Sequence, residues 1–484
     1  MKKMLSKVPN MPIAAKCSVA YAFASLLTKG MNLLTTPIFT RIMSSEQIGI
    51  VTTYTSWQTI LSVFATLALT SGSFNMAMVD YPDRRDRYMS SILGLSTCAS
   101  LICLILYLIF DNFVLEFLNL SNSQMLVMLI SFIITPATEY WLCRQRYEFK
   151  YKKVLLVSTL QTILSTILTL FVVDAAYQKE IVNLGEIRII ASCIMPVILG
   201  AYFYIIIIKT GRVIFDKEFW LFSLKINLPL MVHTLAKHIF DVSDRVMIAQ
   251  MIGQSEVGIY GTLYSFSSLT AIIWSAINAS LIPIVFEKIK AGKAKELEKI
   301  ITPILGIYSI LTLVLVLFSP EIIRLMATEE YYSAIYMMPP VAAGIYLTAL
   351  YNIYSNILLY KKKTLWIMLS TVIASTINIL LNLIFLPRYG FIAAAYTTLA
   401  SYILLATLIF IFCKISFRIK FCSDKKNILF SVATILFSLA CNYLYSHLVV
   451  RYSIIAIMLL ALLVFRKKIF GCMGIIFNRG RVNE

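Results

Sequence analysis

The charged residues of one apolar segment are the first sign of chemistry in this sequence. The stretch HTLAKHIFDVSDRVMIAQMIG, residues 233–253, carries five ionisable side chains within nine positions. At about 100° per residue they fall on one face of a helix. A charge at the centre of a bilayer costs about 2.5–3.5 kcal/mol, so this face must meet protein or water, not lipid. The five residues are Lys237, His238, Asp241, Asp244 and Arg245.

Two interpretations of this stripe stand. Lys237 and Asp241, and likewise Asp241 and Arg245, are four residues apart, so they are able to neutralise each other and lock helices together. Alternatively the stripe forms the wall of a polar pathway, which its length favours. In that case Lys237 and Arg245 are predicted to bind substrate. Asp241 and Asp244 are then predicted to couple an ion or to complete a charge network.

A second polar stripe surrounds a lysine in the first apolar segment. Lys29 lies near the middle of that segment, too deep for its ammonium to reach an interface easily. We predict that it binds substrate, and the alternative is an ion pair with Glu139 or Asp241 on another helix. The stripe consists of Ser18, Ser25, Lys29, Asn32 and Thr36.

Two further charged residues complete the candidate set. Glu139, in TPATEYWLCRQRYEF, is either an interfacial anchor beside Trp141 and Arg144 or a carboxylate that binds a coupling proton. Arg41, near the outer end of the first segment, is a further candidate for substrate binding. The sequence contains no HExxH, GxxxxGK[ST] or GxSxG motif, and its three histidines make no metal cluster. We therefore predict neither an enzyme nor a cofactor.

Composition defines the elements that must position these residues. The 484-residue chain is 59% hydrophobic and 14% charged, whereas soluble domains carry about 25% charged residues. Fourteen apolar segments of membrane-spanning length, bounded by polar loops, predict an all-α polytopic membrane protein with about 14 transmembrane helices. Nine scattered cysteines without a CxxC pair fit buried apolar positions.

The distribution of positive charge predicts the topology. With both termini cytoplasmic, 33 of the 43 Lys and Arg residues fall on cytoplasmic segments and five on the opposite side. Such an imbalance follows the positive-inside rule. The net charge of +19 is thereby explained without nucleic acid as a partner.

An internal repeat relates the two halves of the chain. The segments SSEQIGIVTTYTS (44–56) and GQSEVGIYGTLYS (253–265) align with an offset of 209 residues, which places Gly49 on Gly258 and Lys29 on His238. Both segments follow a span of the same orientation. Parallel repeats of this kind are typical of transporters, with the site between the halves.

The stretches PIFTRIMSSEQIGI and DVSDRVMIAQMIGQSEVGIYGTLYSF resemble the paired signatures of Wzx-type flippases for O-antigen and capsular repeat units. These belong to the multidrug/oligosaccharidyl-lipid/polysaccharide (MOP) exporter superfamily. The resemblance implies a six-helix lobe over 1–208, a second over 209–413, in parallel pseudo-two-fold repeat, and two additional helices with a basic tail over 414–484. It places Lys29, Arg41, Lys237, Asp241, Asp244 and Arg245 at a central cationic cavity.

The function that this resemblance implies is alternating-access export of a lipid-linked sugar. Undecaprenyl-diphosphate-linked oligosaccharide would cross from the cytoplasmic to the outer leaflet of the bacterial inner membrane. The implied partners are membrane lipids, a polysaccharide polymerase and chain-length proteins of O-antigen or lipopolysaccharide biosynthesis. The excess of cations over acids among the candidates suits a diphosphate.

Two alternative functions remain. The first is a drug or cation exporter similar to the MATE transporters, for which a carboxylate-dominated cavity is expected. The second is a membrane glycan polymerase or ligase. The short outer loops, none longer than about fifteen residues, disfavour an enzyme with a large external catalytic loop.

Overall fold

The computed structural model describes residues 13–416 and 424–464, and every regular element in these two stretches is helical. The first ten α-helices are α1 Ile13–Ile42, α2 Ser45–Thr66, α3 Ser73–Asp80, α4 Arg85–Ile109, α5 Asp111–Leu118, α6 Asn122–Ile134, α7 Pro136–Tyr147, α8 Tyr151–Gln178, α9 Leu184–Gly211 and α10 Lys217–Met251. The next nine are α11 Gln254–Ser267, α12 Leu269–Lys290, α13 Glu298–Leu317, α14 Ser319–Met326, α15 Met338–Tyr360, α16 Thr364–Tyr389, α17 Ala393–Ser416, α18 Asp424–Leu444 and α19 Leu448–Val464.

The described helices confirm the predicted class, an all-α multi-pass membrane protein. Eleven helical segments are long and apolar enough to cross a bilayer, and α19 adds a shorter apolar helix of 17 residues. The first two predicted spans lie on α1 and α2, which are outside this set of eleven and are rich in serine and threonine. The helix count agrees with the predicted number of about fourteen.

The second predicted span, 51–78, is interrupted in the structure. Leu67 and Ala68 have φ of 51° and 47°, in the left-handed region that L-residues with a Cβ atom rarely adopt. Helix α2 therefore ends at Thr66, and the chain passes through the 3-10 turn Leu69–Ser71 into α3. Apolar character alone gave no signal for this break.

The residues Ile13–Gly258 form one compact unit. Its core between α3, α4, α7 and α10 is aromatic: Phe74 stacks on Tyr140 with ring centroids 5.7 Å apart, and Tyr88 meets Phe219 edge-on at 5.3 Å. On α10, the buried Asn227 side-chain oxygen accepts a hydrogen bond of 3.2 Å from the backbone N–H of the first residue of α3. That bond satisfies a donor which a helix start leaves unpaired.

The second compact unit begins at Ile259. Helix α15 lies at its centre and packs against α12, α13, α17 and α18. Tyr308 of α13 stacks on Tyr346 of α15 with centroids 5.5 Å apart. Helix α18 is tied to α13 by a hydrogen bond of 2.9 Å from the Thr302 hydroxyl to the Asn427 side-chain oxygen. Inside a membrane such polar contacts between helices replace water as the hydrogen-bonding partner.

Helix boundaries repeat along the chain with the offset that the sequence predicts. The ends of α1 and α10 lie 209 residues apart, as do the starts of α2 and α11 and the starts of α9 and α17. The short helices α5 and α14 are eight residues each and lie 208 residues apart. The repeat is therefore a repeat of secondary structure. The lobe boundaries at 208/209 and 413/414 stay a prediction, and the residues after 464 lie outside the described chain.

The two glycines aligned by the repeat meet at one helix crossing within the first unit. A Cβ atom on Gly49 would lie 1.7 Å from the carbonyl oxygen of Gln254, and one on Gly258 would lie 1.9 Å from the carbonyl oxygen of Ser45. Since Ser45 and Gln254 are themselves equivalent, these are two copies of one contact. The Ser45 and Ser255 hydroxyls, 2.5 Å apart, close the crossing.

Candidate functional site

A polar cavity of about 470 Å³ opens within the first compact unit, between α1, α7, α8 and α9. Its volume falls in the range of about 300–1,000 Å³ that is usual for ligand sites. Three charged residues line it: Lys29 from α1, and Glu139 and Arg146 from α7. Hydroxyl and amide side chains supply most of the remaining polar surface. The net charge of the lining is therefore positive.

Lys29 presents its ammonium to this cavity. The side chain is exposed, and among the described residues it has no hydrogen-bond or ion-pair partner. Asn32, one turn further along α1, lines the same cavity. An unpaired lysine in the middle of a predicted span is a strong electrostatic attractor for an anion, because protein and lipid around it screen charge less than water does.

Glu139 shares the cavity with Lys29, as the alternative interpretation of that lysine anticipated. In the part of the chain that the structure describes, the two do not form an ion pair. Glu139 lies in the first turn of α7. The geometry places the acid where it is able to compensate one of the two cavity cations.

Arg146 also lines the cavity, although in the sequence it is one of the basic residues that indicate topology. Its guanidinium lies 6.0 Å from the centroid of the Tyr21 ring, in cation–π range. The nearby acid Glu148 is engaged elsewhere, by Lys150 and by Arg144, whose Nε lies 2.9 Å from Glu148 Oε1. Partial burial opposes ionisation of that carboxyl, but these two cations hold its pKa below the ordinary value. Glu148 is therefore paired with these two cations and not with Arg146.

The hydroxyl-bearing face of α8 forms the opposite wall. The Thr28 and Thr162 hydroxyls lie 3.0 Å apart and join α1 to α8 across the cavity edge. Ser165 donates a hydrogen bond of 3.2 Å to the carbonyl of Ser192, which Pro196 four residues later leaves without its helical N–H partner. A side chain of the cavity thus satisfies the carbonyl group that the proline inside α9 leaves unpaired.

This polar face of α8 is not among the sequence-based predictions, although the sequence contains a signal for it. Polar residues recur along α8 at intervals of three and four positions, the spacing of one helix face. The stretch YKKVLLVSTLQTILSTILTLF contains no charged residue after its first turn, so its polar face is less conspicuous than the charged face of α10. The residues of this face that line the cavity are Ser158, Gln161, Thr162, Ser165 and Thr166.

The charged stripe of α10 has a different environment from Lys29. None of its residues is among those that line the polar cavity. Asp244 is buried, with 4% of its surface exposed, and the Arg245 guanidinium donates a hydrogen bond of 3.0 Å to the backbone oxygen of Asp241. His238 Nδ1 lies 2.8 Å from the carbonyl oxygen of Thr59 on α2. Lys237 is exposed.

Arg41 lies in the last turn of α1, also away from the cavity lining. Its Nη1 donates a hydrogen bond of 3.2 Å to the carbonyl of Pro37 in the same helix. The structure therefore brings Lys29 and Glu139 together and leaves Arg41 and the α10 residues at other positions. Their predicted roles in substrate binding and ion coupling stay predictions.

Ionisable residues that face a cavity inside a membrane protein typically mark a substrate or ion pathway. The chain belongs to the polysaccharide biosynthesis protein family, whose pattern matches residues 15–289, more than half of its length. The MatE family also matches, over residues 229–384. No curated protein matches the chain by sequence.

Solved structures share the fold at low sequence identity. The lipid II flippase MurJ in an inward closed conformation is 17% identical, with 94% of this chain and 99% of that chain covered and a TM-score of 0.63. An inward-facing multidrug resistance MATE family transporter of the MOP superfamily is 13% identical, with 82% and 98% covered and a TM-score of 0.57. A MOP superfamily transporter from Pyrococcus furiosus, described as having a binding pocket of reverse polarity, is 12% identical, with 83% and 96% covered and a TM-score of 0.52.

Proposed function

We propose that this protein is a flippase that moves undecaprenyl-diphosphate-linked oligosaccharide from the cytoplasmic to the outer leaflet of the bacterial inner membrane, for O-antigen or capsule synthesis. The observation that carries the proposal is a cavity lined by Lys29 and Arg146, which form no ion pair with any described residue, in a chain of the polysaccharide biosynthesis family. MurJ, which has the same fold, is named a lipid II flippase. Lipid-linked sugars of this kind combine a polyprenyl chain, a diphosphate and sugar rings.

Each part of such a substrate has a matching feature in the cavity. The ammonium of Lys29 and the guanidinium of Arg146 suit the diphosphate, since charge-assisted hydrogen bonds are the strongest that a site offers. Hydroxyl and amide groups of α8 suit sugar hydroxyls. The carboxylate of Glu139 offsets part of the positive charge of the cavity, so the anion binds reversibly.

Release of the substrate on the outer side has an electrical component. A membrane potential that is negative inside favours outward movement of an anion by roughly 2.3 kcal/mol per charge per 100 mV. Alternating access through an inward-open and an outward-open state would expose the cations first to one leaflet and then to the other. The proposal includes coupling of transport to an ion through Glu139, Asp241 or Asp244.

Surface polysaccharide in the source bacterium tests the proposal. A deletion strain should lose surface polysaccharide and accumulate the lipid-linked repeat unit inside. Complementation with Lys29→Ala should restore less than about one tenth of it, because loss of one charge-assisted contact costs about 1.5–3 kcal/mol. Lys179→Ala, an exposed lysine at the end of α8 and outside the cavity lining, is the matched control and should restore it fully.

A second candidate, a MATE-like exporter of drugs or cations, is favoured by the MatE match over residues 229–384. It predicts that deletion changes sensitivity to cationic dyes and leaves surface polysaccharide intact. A polymerase or ligase would give a third pattern, with single repeat units at the surface but no polymer. The net positive lining of the cavity favours the flippase over the cation exporter.

A further inference from the structure

A second, smaller pocket lies in the second compact unit, far along the chain from the cavity residues. It has a volume of about 250 Å³ and is formed by α14, the 3-10 segment Glu329–Met337 and the turn after α18. Helix α14 lies on a predicted outer loop, and the other two segments lie at the outer ends of the predicted spans 332–359 and 428–446, on the side to which a flippase would deliver its substrate. Its lining includes Arg324, Tyr332, Tyr336, Tyr445 and Ser446.

The positive charge of this pocket comes from Arg324. Its side chain is exposed, and in the described stretches 13–416 and 424–464 it has no ion-pair or hydrogen-bond partner. Glu321, one turn earlier on α14, is held instead by the buried Arg451 of α19 and by the Tyr452 hydroxyl, which donates a hydrogen bond of 2.8 Å. The nearest acid on the same helix is therefore already neutralised.

Three tyrosines give the pocket its shape. The rings of Tyr336 and Tyr445 are inclined at 43° with centroids 6.2 Å apart, and the Tyr445 hydroxyl is fixed by a hydrogen bond of 3.1 Å to the carbonyl of Val316. The hydroxyls of Tyr332 and Tyr336 have no partner among the described residues. Interfacial tyrosines normally lie at the level of the lipid headgroups. Here they converge on one concave site around an arginine.

We propose that this pocket binds one acidic sugar residue, bearing a carboxylate or phosphate, of an oligosaccharide on the outer face. Arg324 pairs with the acid, and the tyrosine rings pack against the sugar while the Tyr332 and Tyr336 hydroxyls donate hydrogen bonds to it. The volume lies below the range of about 300–1,000 Å³ for pockets that enclose drug-sized ligands, so a single sugar fits better than a whole repeat unit. The choice of an oligosaccharide rests on the proposed function.

Binding of free oligosaccharides tests the pocket without any translocation. Full-length protein in phosphatidylcholine nanodiscs is titrated with a tetrasaccharide of alternating glucuronic acid and N-acetylglucosamine, and with a tetramer of N-acetylglucosamine alone. Calorimetry should show that the acidic probe binds at least about tenfold more tightly. Arg324→Gln and Tyr336→Ala should each weaken that binding by about tenfold, since each removes one strong contact.

Matched controls are available on the same predicted face. Arg388→Gln and Tyr443→Ala change exposed residues outside the pocket lining and should bind the acidic probe as the wild type does. Equal binding of both probes, or wild-type binding by Arg324→Gln, would overturn the proposal. So would loss of probe binding in phosphatidylglycerol nanodiscs, which would assign the pocket to an anionic lipid headgroup.

The assay also separates this proposal from the flippase proposal. Lys29→Ala should bind the acidic probe normally and fail in export. If the probe does not bind but surface polysaccharide depends on Lys29, the pocket proposal fails alone. If the probe binds through Arg324 but deletion leaves surface polysaccharide intact, the flippase proposal fails alone.

Discussion

Helices α1 and α10 occupy equivalent places in the two repeats, yet their polar faces lie in different surroundings. On α1, Lys29 is exposed and lines a cavity whose other walls are α7, α8 and α9. On α10, Asp244 is buried and His238, the counterpart of Lys29, contacts the backbone of α2. A polar stripe on a membrane helix therefore occurs in two environments, one lining a cavity and one packed against other helices.

The difference follows from what each helix packs against. Helix α10 lies along α2, α3 and α4 over much of its 35 residues, so part of its stripe is enclosed by protein. Helix α1 packs mainly on α8, and the hydroxyl-rich face of α8 leaves room between them. In α1 we therefore expect substitutions to affect transport more than stability, and in the buried part of α10 the reverse.

The largest expected effect is on stability, at Asp244. A carboxylate that is 4% exposed must be hydrogen-bonded or paired with a cation, and removing it leaves its buried partners unsatisfied, at a cost of about 3 kcal/mol. Asp244→Ala should therefore lower the free energy of unfolding by that amount, while Lys237→Ala on the exposed part of the same stripe should stay within about 0.5 kcal/mol. Tryptophan fluorescence of detergent-solubilised protein during thermal unfolding measures both. Equal melting temperatures would contradict the packing role of α10.

The next effect is at the crossing where the aligned glycines meet. Gly49→Ala and Gly258→Ala each place a Cβ atom within 2 Å of a carbonyl oxygen, so the helices must separate, at a cost of about 1–3 kcal/mol. The double substitution should cost less than the sum, because one separation accommodates both methyl groups. Gly30→Ala is the control, since its Cβ atom would meet no heavy atom within 4 Å. Fully additive costs would show that the two contacts are not copies of one crossing.

The smallest effect concerns the link between α1 and α8. The Thr28 and Thr162 hydroxyls, 3.0 Å apart, form one interhelical hydrogen bond, and such bonds in membrane proteins average about 0.6 kcal/mol. A double-mutant cycle with Thr28→Val and Thr162→Val should give a coupling energy of that size in the free energy of unfolding. A coupling energy of zero would show that this hydrogen bond does not hold the edge of the cavity together.

Much of the fold could be predicted because hydrophobicity and charge report it directly. Apolar length gives the spans, and the aligned motifs around Gly49 and Gly258 give the repeat, whereas the orientation indicated by the bias of Lys and Arg stays a prediction. The helix boundaries confirm that repeat at an offset of 209 residues. The break at Leu67 and Ala68 could not be predicted, since neither residue type favours the left-handed region.

The candidate site could be predicted in part. Lys29 and Glu139 were both identified because an isolated charge in an apolar segment is costly and therefore conspicuous. Arg146 was hidden among the basic residues that follow a span, where topology already explains a positive charge. The α8 wall was hidden because serine and threonine are ordinary in membrane helices, and only three-dimensional proximity distinguishes a cavity face from a packed one.

Translocation by the purified protein tests the central claim most directly. Proteoliposomes receive a fluorescent sugar linked through a diphosphate to a short polyprenyl chain, and a membrane-impermeant quencher reports its movement between leaflets. Lys29→Ala should flip the substrate at least about tenfold more slowly than the wild type with an unchanged melting temperature, whereas Lys29→Arg and the control Lys179→Ala should stay within about twofold. Wild-type translocation by Lys29→Ala would contradict the assignment of this cavity to the diphosphate.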